Sequence, residues 1–342
     1  MAAQSHGSES ERSPVCALIV TYNRITQLRH SLSCALAQPF DAVFVVNNAS
    51  TDGTTAFLEE LAQHQRRLHL VNLVINGGGA LGFEQGLRAV DGFCAGKGWV
   101  VLFDDDAWPV SSCLATFAAK RGFYEQQNLC GVAALVLSPD DHPVEINRPV
   151  LNLFRAPWRV LSQTLPSARS IRDLYHVPSS WLVPDQQSLF QIDAASFVGL
   201  FLNLDLLPSP PQRRYPRPDL FVYSDDTSYT LDLTRHRCRL ALDPSLIFVH
   251  NSQSSSMDQK WKTPIWKNYY VVRNSFVLNR SLSLAWMPLL SLLTLLLYLS
   301  AAVRYLWCNR SAALLLLVLV AYWDGLRGYY RRSHRYVCEL ST

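Results

Sequence analysis

The chain has 342 residues, 49% of them apolar and 17% charged, with a net charge of +4. That is long enough for a full core with an appendage, and its basic excess is too small and scattered for nucleic-acid recognition. Eight cysteines with no C-x-x-C pair and no metal-ligand spacing argue against a zinc module or a disulfide framework and for reduced thiols.

The polar, Ser-rich opening "MAAQSHGSESERSP" has no apolar h-region, so residues 1–13 are expected as a disordered tail and not a secretory signal. A body follows over 14–280, then an apolar and basic helical region over 281–342. "VCALIV" (15–20) reads as a buried strand ending in "TYNR", and Leu28, Leu32 and Leu36 give residues 25–37 helical spacing. "AVFVV" (42–46) is the second strand; Ser50, Thr51 and Asp52 are turn and N-cap residues for a helix through Leu61. "LHLVNLVI" (68–75) is the third strand, "NGGGALGFEQGLRAV" a Gly-rich turn into a helix, and "WVVLF" (99–103) the fourth strand. Such alternation predicts an α/β fold with a mostly parallel sheet and right-handed crossovers. Ligands bind beyond the carboxyl ends of such strands, where "TYNR", "NNAS", "NGGG" and "DDD" all fall, outlining a nucleotide-sized site.

The last cluster, Asp104, Asp105 and Asp106, sets three like charges at a strand end, tolerable where solvent or a cation offsets them. A helix over 111–120, a strand "GVAALVL" (131–137) and a long irregular stretch follow. Residues 195–207 read as a buried strand or strand–helix turn, before the loop "PSPPQRRYPRPD". Ser224 is placed to cap a helix whose first turn holds Asp225 and Asp226, and "LALDPSLIFVHN" ends in a strand delivering His250.

In order, "IVTYNR", "VVNNASTDGT", "NGGGALGFEQGL", "LFDDDAWP", "FVYSDDTSYTLDL", "FVHN" and "YYVVRNSFVLNR" resemble the inverting GT-A glycosyltransferases of family 2, particularly the galactofuranosyl- and rhamnosyltransferase branch, over most of residues 15–280. The resemblance implies a GT-A fold, a Rossmann-like mixed, mostly parallel sheet flanked by helices. It implies a metal site at Asp104 and Asp106, with His250 as a ligand from the far end of the domain. Two carboxylates and an imidazole suit Mn2+ or Mg2+ and leave positions for diphosphate oxygens and water. A cation there would neutralise the leaving nucleoside diphosphate. Donor contacts are implied at Thr21, Arg24, Asn47, Asn76 and Asp105; Asn47 stands where many relatives carry Asp. The fixed fork of Arg24 suits a pyrophosphate. Inverting transfer needs a carboxylate to take the acceptor hydroxyl proton. The resemblance places this base on Asp226 with Asp225 helping to bind the acceptor, the exchanged assignment being its rival.

Residues 284–303 carry no charge over twenty positions, while 311–323 give only thirteen before the basic "DGLRGYYRRSHRY". One span has the first length, but the basic tail prefers the cytoplasmic side. A shallow hairpin or two interfacial helices reconciles the two; a buried helix pair is the alternative. The expected protein is therefore a metal-dependent hexosyltransferase at the cytoplasmic face of the inner membrane, peripheral, monotopic or integral through 284–303. Its favoured donor is UDP-galactofuranose, with dTDP-rhamnose the alternative. Its acceptor is a glycan or polyprenyl-linked glycan of bacterial surface polysaccharide, with no nucleic-acid partner. A sugar nucleotidyltransferase would share the sheet and the metal acids, but "TYNR" is no substitute for its basic Gly-rich loop. The third reading is a non-enzymatic membrane scaffold, which would not hydrolyse UDP-sugars with metal.

Overall fold

The computed structural model describes residues 13–184, 188–209, 211–251 and 264–341; apart from Ser13, the expected disordered tail lies outside them. The elements are, in order, β1 (Val15–Thr21), α1 (Ile25–Ala37), β2 (Ala42–Asn47), α2 (Thr54–His64), β3 (Leu68–Asn72), α3 (Gly78–Cys94), β4 (Trp99–Asp104), β5 (Ala107–Pro109), α4 (Cys113–Gln126), β6 (Leu129–Leu137), α5 (Pro157–Thr164), β7 (Phe190–Ile192), β8 (Leu200–Asn203), α6 (Asp225–Arg235), β9 (Arg239–His250), α7 (Lys267–Leu282), α8 (Met287–Asn309), α9 (Ala313–Leu326) and α10 (His334–Glu339).

One sheet carries the body, in the order β3-β2-β1-β4-β8-β6-β9-β5, with β7 joined to β9. β3, β2, β1 and β4 are parallel. β8 inserts antiparallel between β4 and β6, and β6 runs parallel to β9. The unbroken apolar strands follow from cover on both faces. Leu18, Val20, Phe44, Val46 and Leu102 face α3, packing on Phe83, Leu87 and Val90. Ala17, Ile19, Val43, Val45, Val101 and Phe103 face the opposite side, with Leu28 and Leu32 of α1, Leu58 of α2 and Phe117 of α4. Gly86 permits the close approach of α3, since a Cβ there would lie 2.3 Å from Leu18 Cδ1.

Local differences from the sequence reading have local causes. β3 stops at Asn72, and Val74 and Ile75 are 95% and 65% exposed beside the Gly-rich turn. The N-cap of α2 is Gly53 at φ +90°; Asp52 serves the helix from one position earlier, accepting from the Thr54 amide at 3.2 Å, and also accepts from the Ile25 amide at 3.0 Å at the start of α1. α4 occupies Cys113–Gln126 and not 111–120. Ser224 holds the N-cap position of α6, but in the left-handed region and with no side-chain capping bond.

Beyond β9 a third apolar cluster forms. Tyr269, Tyr270 and Val272 of α7 pack against Ala302 of α8, Leu314, Leu317, Val318 and Ala321 of α9, and Val337 of α10. α8 and α9 pack on each other through a turn at Arg310, which is left-handed at φ +51°, so they form a helical hairpin. α8 is long and apolar enough to cross a membrane, and Leu289, Leu292, Leu293, Leu296 and Leu297 are exposed along it.

Candidate active site

Three carboxylates collect at the carboxyl end of β4, the last strand of the parallel half-sheet, beside β1, which ends three residues before Arg24. β5 makes the cluster into a site. Its three residues pair antiparallel with the end of β9 in the register Ala107↔His250, and the Asn251 amide donates to the Asp106 carbonyl at 2.9 Å. His250 is thereby brought from the far end of the body against the acids, with Nε2 3.1 Å from Asp106 Oδ1. One ligand atom from each of Asp104, Asp106 and His250 lies within 4.8 Å of the others. Metal–oxygen bonds of about 2.1 Å place octahedral ligands about 3–4 Å apart, so slight closure fits the group to Mn2+ or Mg2+.

The imidazole is prepared for such a cation. His250 Nδ1 lies 2.7 Å from Asn147 Oδ1, and Asn147 Nδ2 donates to Ser196 Oγ at 2.9 Å. With the amide oriented by Ser196, Nδ1 carries the proton and Nε2 offers its lone pair. Asn147 lies in the stretch that showed no periodic signal. Asn147→Ala should weaken Mn2+ binding by about 10–100-fold, measured by direct Mn2+ titration, with turnover recovering at saturating metal.

The acids differ in their surroundings. Thr21 Oγ1 donates to Asp105 Oδ2 at 2.8 Å, while Arg24 Nη1 lies 2.6 Å from Asp106 Oδ2 and 3.4 Å from Asp105 Oδ1. Burial pushes Asp104 up to about 7, with the Asp106 charge adding to it and His250 opposing. Burial also pushes Asp105 up to about 6, against Arg24. Asp106 is held below the usual carboxylate range: burial opposes its charged form, but the bonds and charges of His250 and Arg24 outweigh it. Arg24 bonds directly to Asp105 and Asp106, while Asp104 feels Arg24 and His250 only through their charges and stays raised, so a cation would stabilise its charged form most.

The second pair of acids is delivered by a strained loop. Phe221, Tyr223 and Ser224 have φ of +68°, +65° and +62°, a run that non-glycine residues adopt only when surrounding contacts enforce it. Asn274 Nδ2 is within 3.0 Å of the carbonyls of Leu220, Val222 and Tyr223, and Arg273 Nη2 donates to those of Asp219 and Leu220 at 3.0 and 2.9 Å. Both side chains are buried. The "RN" of "YYVVRN" is thus the clamp on this loop, a role its spacing alone does not disclose. From the other side the Ala80 amide donates to the Phe221 carbonyl at 3.1 Å. Gly78, at φ +74°, has no room for a Cβ, which would sit 2.0 Å from that carbonyl oxygen.

In the first turn of α6, Asp225 is buried and Asp226 half-buried. Burial raises Asp225 well above its ordinary value, with the charges of Asp226 and Asp104 adding. Burial raises Asp226 also, against bonds to one of its oxygens: Oδ1 accepts from the Thr227 amide at 2.5 Å and the Thr227 hydroxyl at 3.1 Å. The field of Asp104 felt by Asp225 ties the α6 acids to the cation group.

The residues implied as donor contacts take varied places. Thr21 and Asp105 bond to each other, and Arg24 lies over the acids with its side chain 47% exposed. Asn47 is buried and its amide is spent on the turn, donating to Thr55 Oγ1 and Asn72 Oδ1 and accepting from the Ser50 amide. Asn76 Oδ1 accepts from the Gly78 amide at 2.9 Å. Asn48, which the sequence reading did not single out, holds the same glycine turn through the Gly77 amide and the Gly78 carbonyl. Lys267, at the start of α7, is another addition: burial lowers its ammonium, and the nearby charge of Arg24 lowers it further.

The parallel β3-β2-β1-β4 half-sheet, the antiparallel β8 and the acid cluster at the β4 end define a GT-A fold. The mannosyltransferase PcManGT from Pyrobaculum calidifontis, solved in complex with GDP-Man and Mn2+, shares it at a TM-score of 0.50 and 16% identity, covering 93% of this chain and 88% of that one. GalNAc-T7, solved with UDP, GalNAc and Mn2+, aligns at 0.50 and 10% identity over 79% of this chain; the chain spans about half of GalNAc-T7, 52% of its length. Residues 16–149 match the model of the family described as Glycosyl transferase family 2. Over that stretch, less than half of its length, the chain resembles family 2 glycosyltransferases, and together with the GT-A fold this supports a glycosyltransferase. The match ends before the acid pair of α6, His250 and the α7 clamp. No curated protein matches the chain.

Proposed function

We propose that the protein moves a hexose, with inversion, from a nucleotide-sugar donor to a hydroxyl of a lipid-linked glycan at a membrane surface. The carrying observation is the convergence of Asp104, Asp106 and His250 within 4.8 Å beside the acid pair of α6. The bound ligands of PcManGT and GalNAc-T7, a sugar nucleotide or its parts with Mn2+, support a nucleotide-sugar donor and a divalent cation. When bound, the cation supplies positive charge for the diphosphate as its bond to the sugar breaks. Arg24 and Lys267 add two cations on the same side of the site. Asp226 serves as base: it is the more open of the two acids, and with Oδ1 engaged by Thr227 its other oxygen is left for the acceptor proton. The acceptor oxygen then bonds to the anomeric carbon, and the electron pair of the broken bond leaves on the diphosphate. Asp225, buried beside it, helps to position the acceptor.

The apolar hairpin supports a membrane seat. α9 has 14 residues, about 21 Å at 1.5 Å per residue, short of a hydrocarbon core of about 30 Å. Exposed Arg304 and Arg310 lie towards its tip, which further favours a hairpin resting in the interface on the cytoplasmic face.

The motifs "DDD", "SDD" and "YYVVRN" favour UDP-galactofuranose as donor, dTDP-rhamnose being the alternative. Calorimetry in Mn2+ should find UDP-galactofuranose bound about tenfold tighter than UDP-galactopyranose or dTDP-rhamnose. Tighter binding of dTDP-rhamnose would replace the donor, and binding of none of the three would overturn the donor class.

A further inference from the structure

A cavity of about 920 Å³ lies away from the acid cluster, between α6, α7, the loop before α6 and the base of the α8–α9 hairpin. Arg214, Arg217, Arg235, Arg280 and Arg327 line it, against a single carboxylate, Asp232. Arg214 is paired with Asp232 at 2.9 Å and Arg217 with Asp219 at 2.6 Å. Arg235 donates to the Arg280 carbonyl at 3.3 Å, and Arg327 lies over the Trp323 ring at 5.5 Å. Among the described residues no carboxylate pairs with Arg235, Arg280 or Arg327. Guanidinium groups gathered around one cavity make it attractive to anions, and their forks match phosphate oxygens.

The walls specify the anion further. Met287 and Pro288 at the start of α8 and Leu326 at the end of α9 close the cavity on the hairpin side, and the exposed leucines of α8 continue from there. A phosphate held by the arginines would thus lie where the apolar hairpin meets the polar body, the level of a lipid head group. We propose that this cavity binds the phosphate of a membrane lipid, with the hydrocarbon tail leaving along α8 and α9. The site shares α6 with the acid pair: Ser228, Tyr229, Asp232 and Arg235 line it along one face. The α6 residues lining the cavity begin at Ser228, two positions from Asp226.

The test is calorimetry on the full chain in mild detergent with EDTA, which removes the metal site from the measurement and keeps the outcome separate from the sugar-transfer reading. Probes are farnesyl diphosphate, dioctanoyl phosphatidylglycerol and inorganic diphosphate. At least one lipid should bind, and more tightly than inorganic diphosphate. The pair Arg280→Ala with Arg327→Ala should weaken it by about 10–100-fold, whereas Arg304→Ala with Arg310→Ala should not. Arg280→Gln and Arg327→Gln, which keep most of the side-chain packing, should each give a smaller loss in the same direction at an unchanged thermal midpoint. Tighter farnesyl diphosphate points to a lipid-linked carrier and tighter phosphatidylglycerol to bulk lipid, and either supports the site. Lipid binding absent, no tighter than inorganic diphosphate, or unchanged in the arginine variants would overturn it.

Discussion

Asp226→Asn is expected to lower kcat by about 10²–10⁴-fold, the usual contribution of a general base, with Mn2+ and donor affinities left within about twofold. The substitution keeps shape and can still receive the Thr227 amide bond at Oδ1, but it cannot take a proton. Because burial raises Asp226 above the ordinary carboxylate value, wild-type turnover should climb with pH through that raised value as the carboxylate becomes available. That limb should be missing in the variant. Asp225 and Asp226 influence each other, so the limb belongs to the pair and not to one residue. Asp225→Asn should instead raise the acceptor KM and keep a limb, displaced to lower pH by loss of the neighbouring carboxylate. Full turnover in Asp226→Asn, with the limb lost in Asp225→Asn, would exchange the two roles; full turnover in both variants would remove the acid pair from the chemistry.

The parallel half of the sheet was legible because its strands are continuous apolar runs covered on both faces, and because α1 and α3 keep helical spacing. The four polar clusters could be placed at the carboxyl ends for the same reason. β5 was not legible: "AWP" is too short for any period, and its meaning lies in a partner some 140 residues away, His250. Without that pairing the acids and the imidazole are separate features, joined only by family resemblance. Asn147 and Asn48 were invisible because a buried amide that orients a histidine or a glycine turn leaves no trace in spacing. Ser224 shows how a local rule was overridden. A serine before two acids reads as a capping residue, yet the clamp by Arg273 and Asn274 holds the preceding backbone so that Ser224 is left-handed and its hydroxyl makes no cap. The middle of the chain, expected to be irregular, is mostly so among the described residues, holding only α5 and four short 3-10 turns between β6 and β7.

Asp104→Ala is expected to abolish Mn2+-dependent donor binding and lower turnover by about three orders of magnitude, the scale of several kcal/mol of charge stabilisation from a catalytic cation. Asp104 should be the most sensitive of the three acids because the other two are already engaged by protein groups, Asp105 by Thr21 and Asp106 by Arg24 and His250. Its pH behaviour gives a second, independent reading. Without a cation, burial raises Asp104 to about 7, so the folded protein binds a proton here that the unfolded chain releases until near its ordinary value of about 4. The metal-free protein therefore gains stability from this group as pH falls from about 7 towards 4, and that contribution is lost as pH rises through 7. Metal binding has the opposite slope, since the cation must displace the proton. Mn2+ affinity should rise by up to about tenfold per pH unit below 7 and level off above it. Titrations at pH 5.5, 6.5, 7.5 and 8.5, set beside unfolding curves in EDTA, would show both slopes. In Asp104→Ala both should flatten. A Mn2+ affinity indifferent to pH in the wild type, or donor binding undiminished in the variant, would mean that the cation is not held at the end of β4.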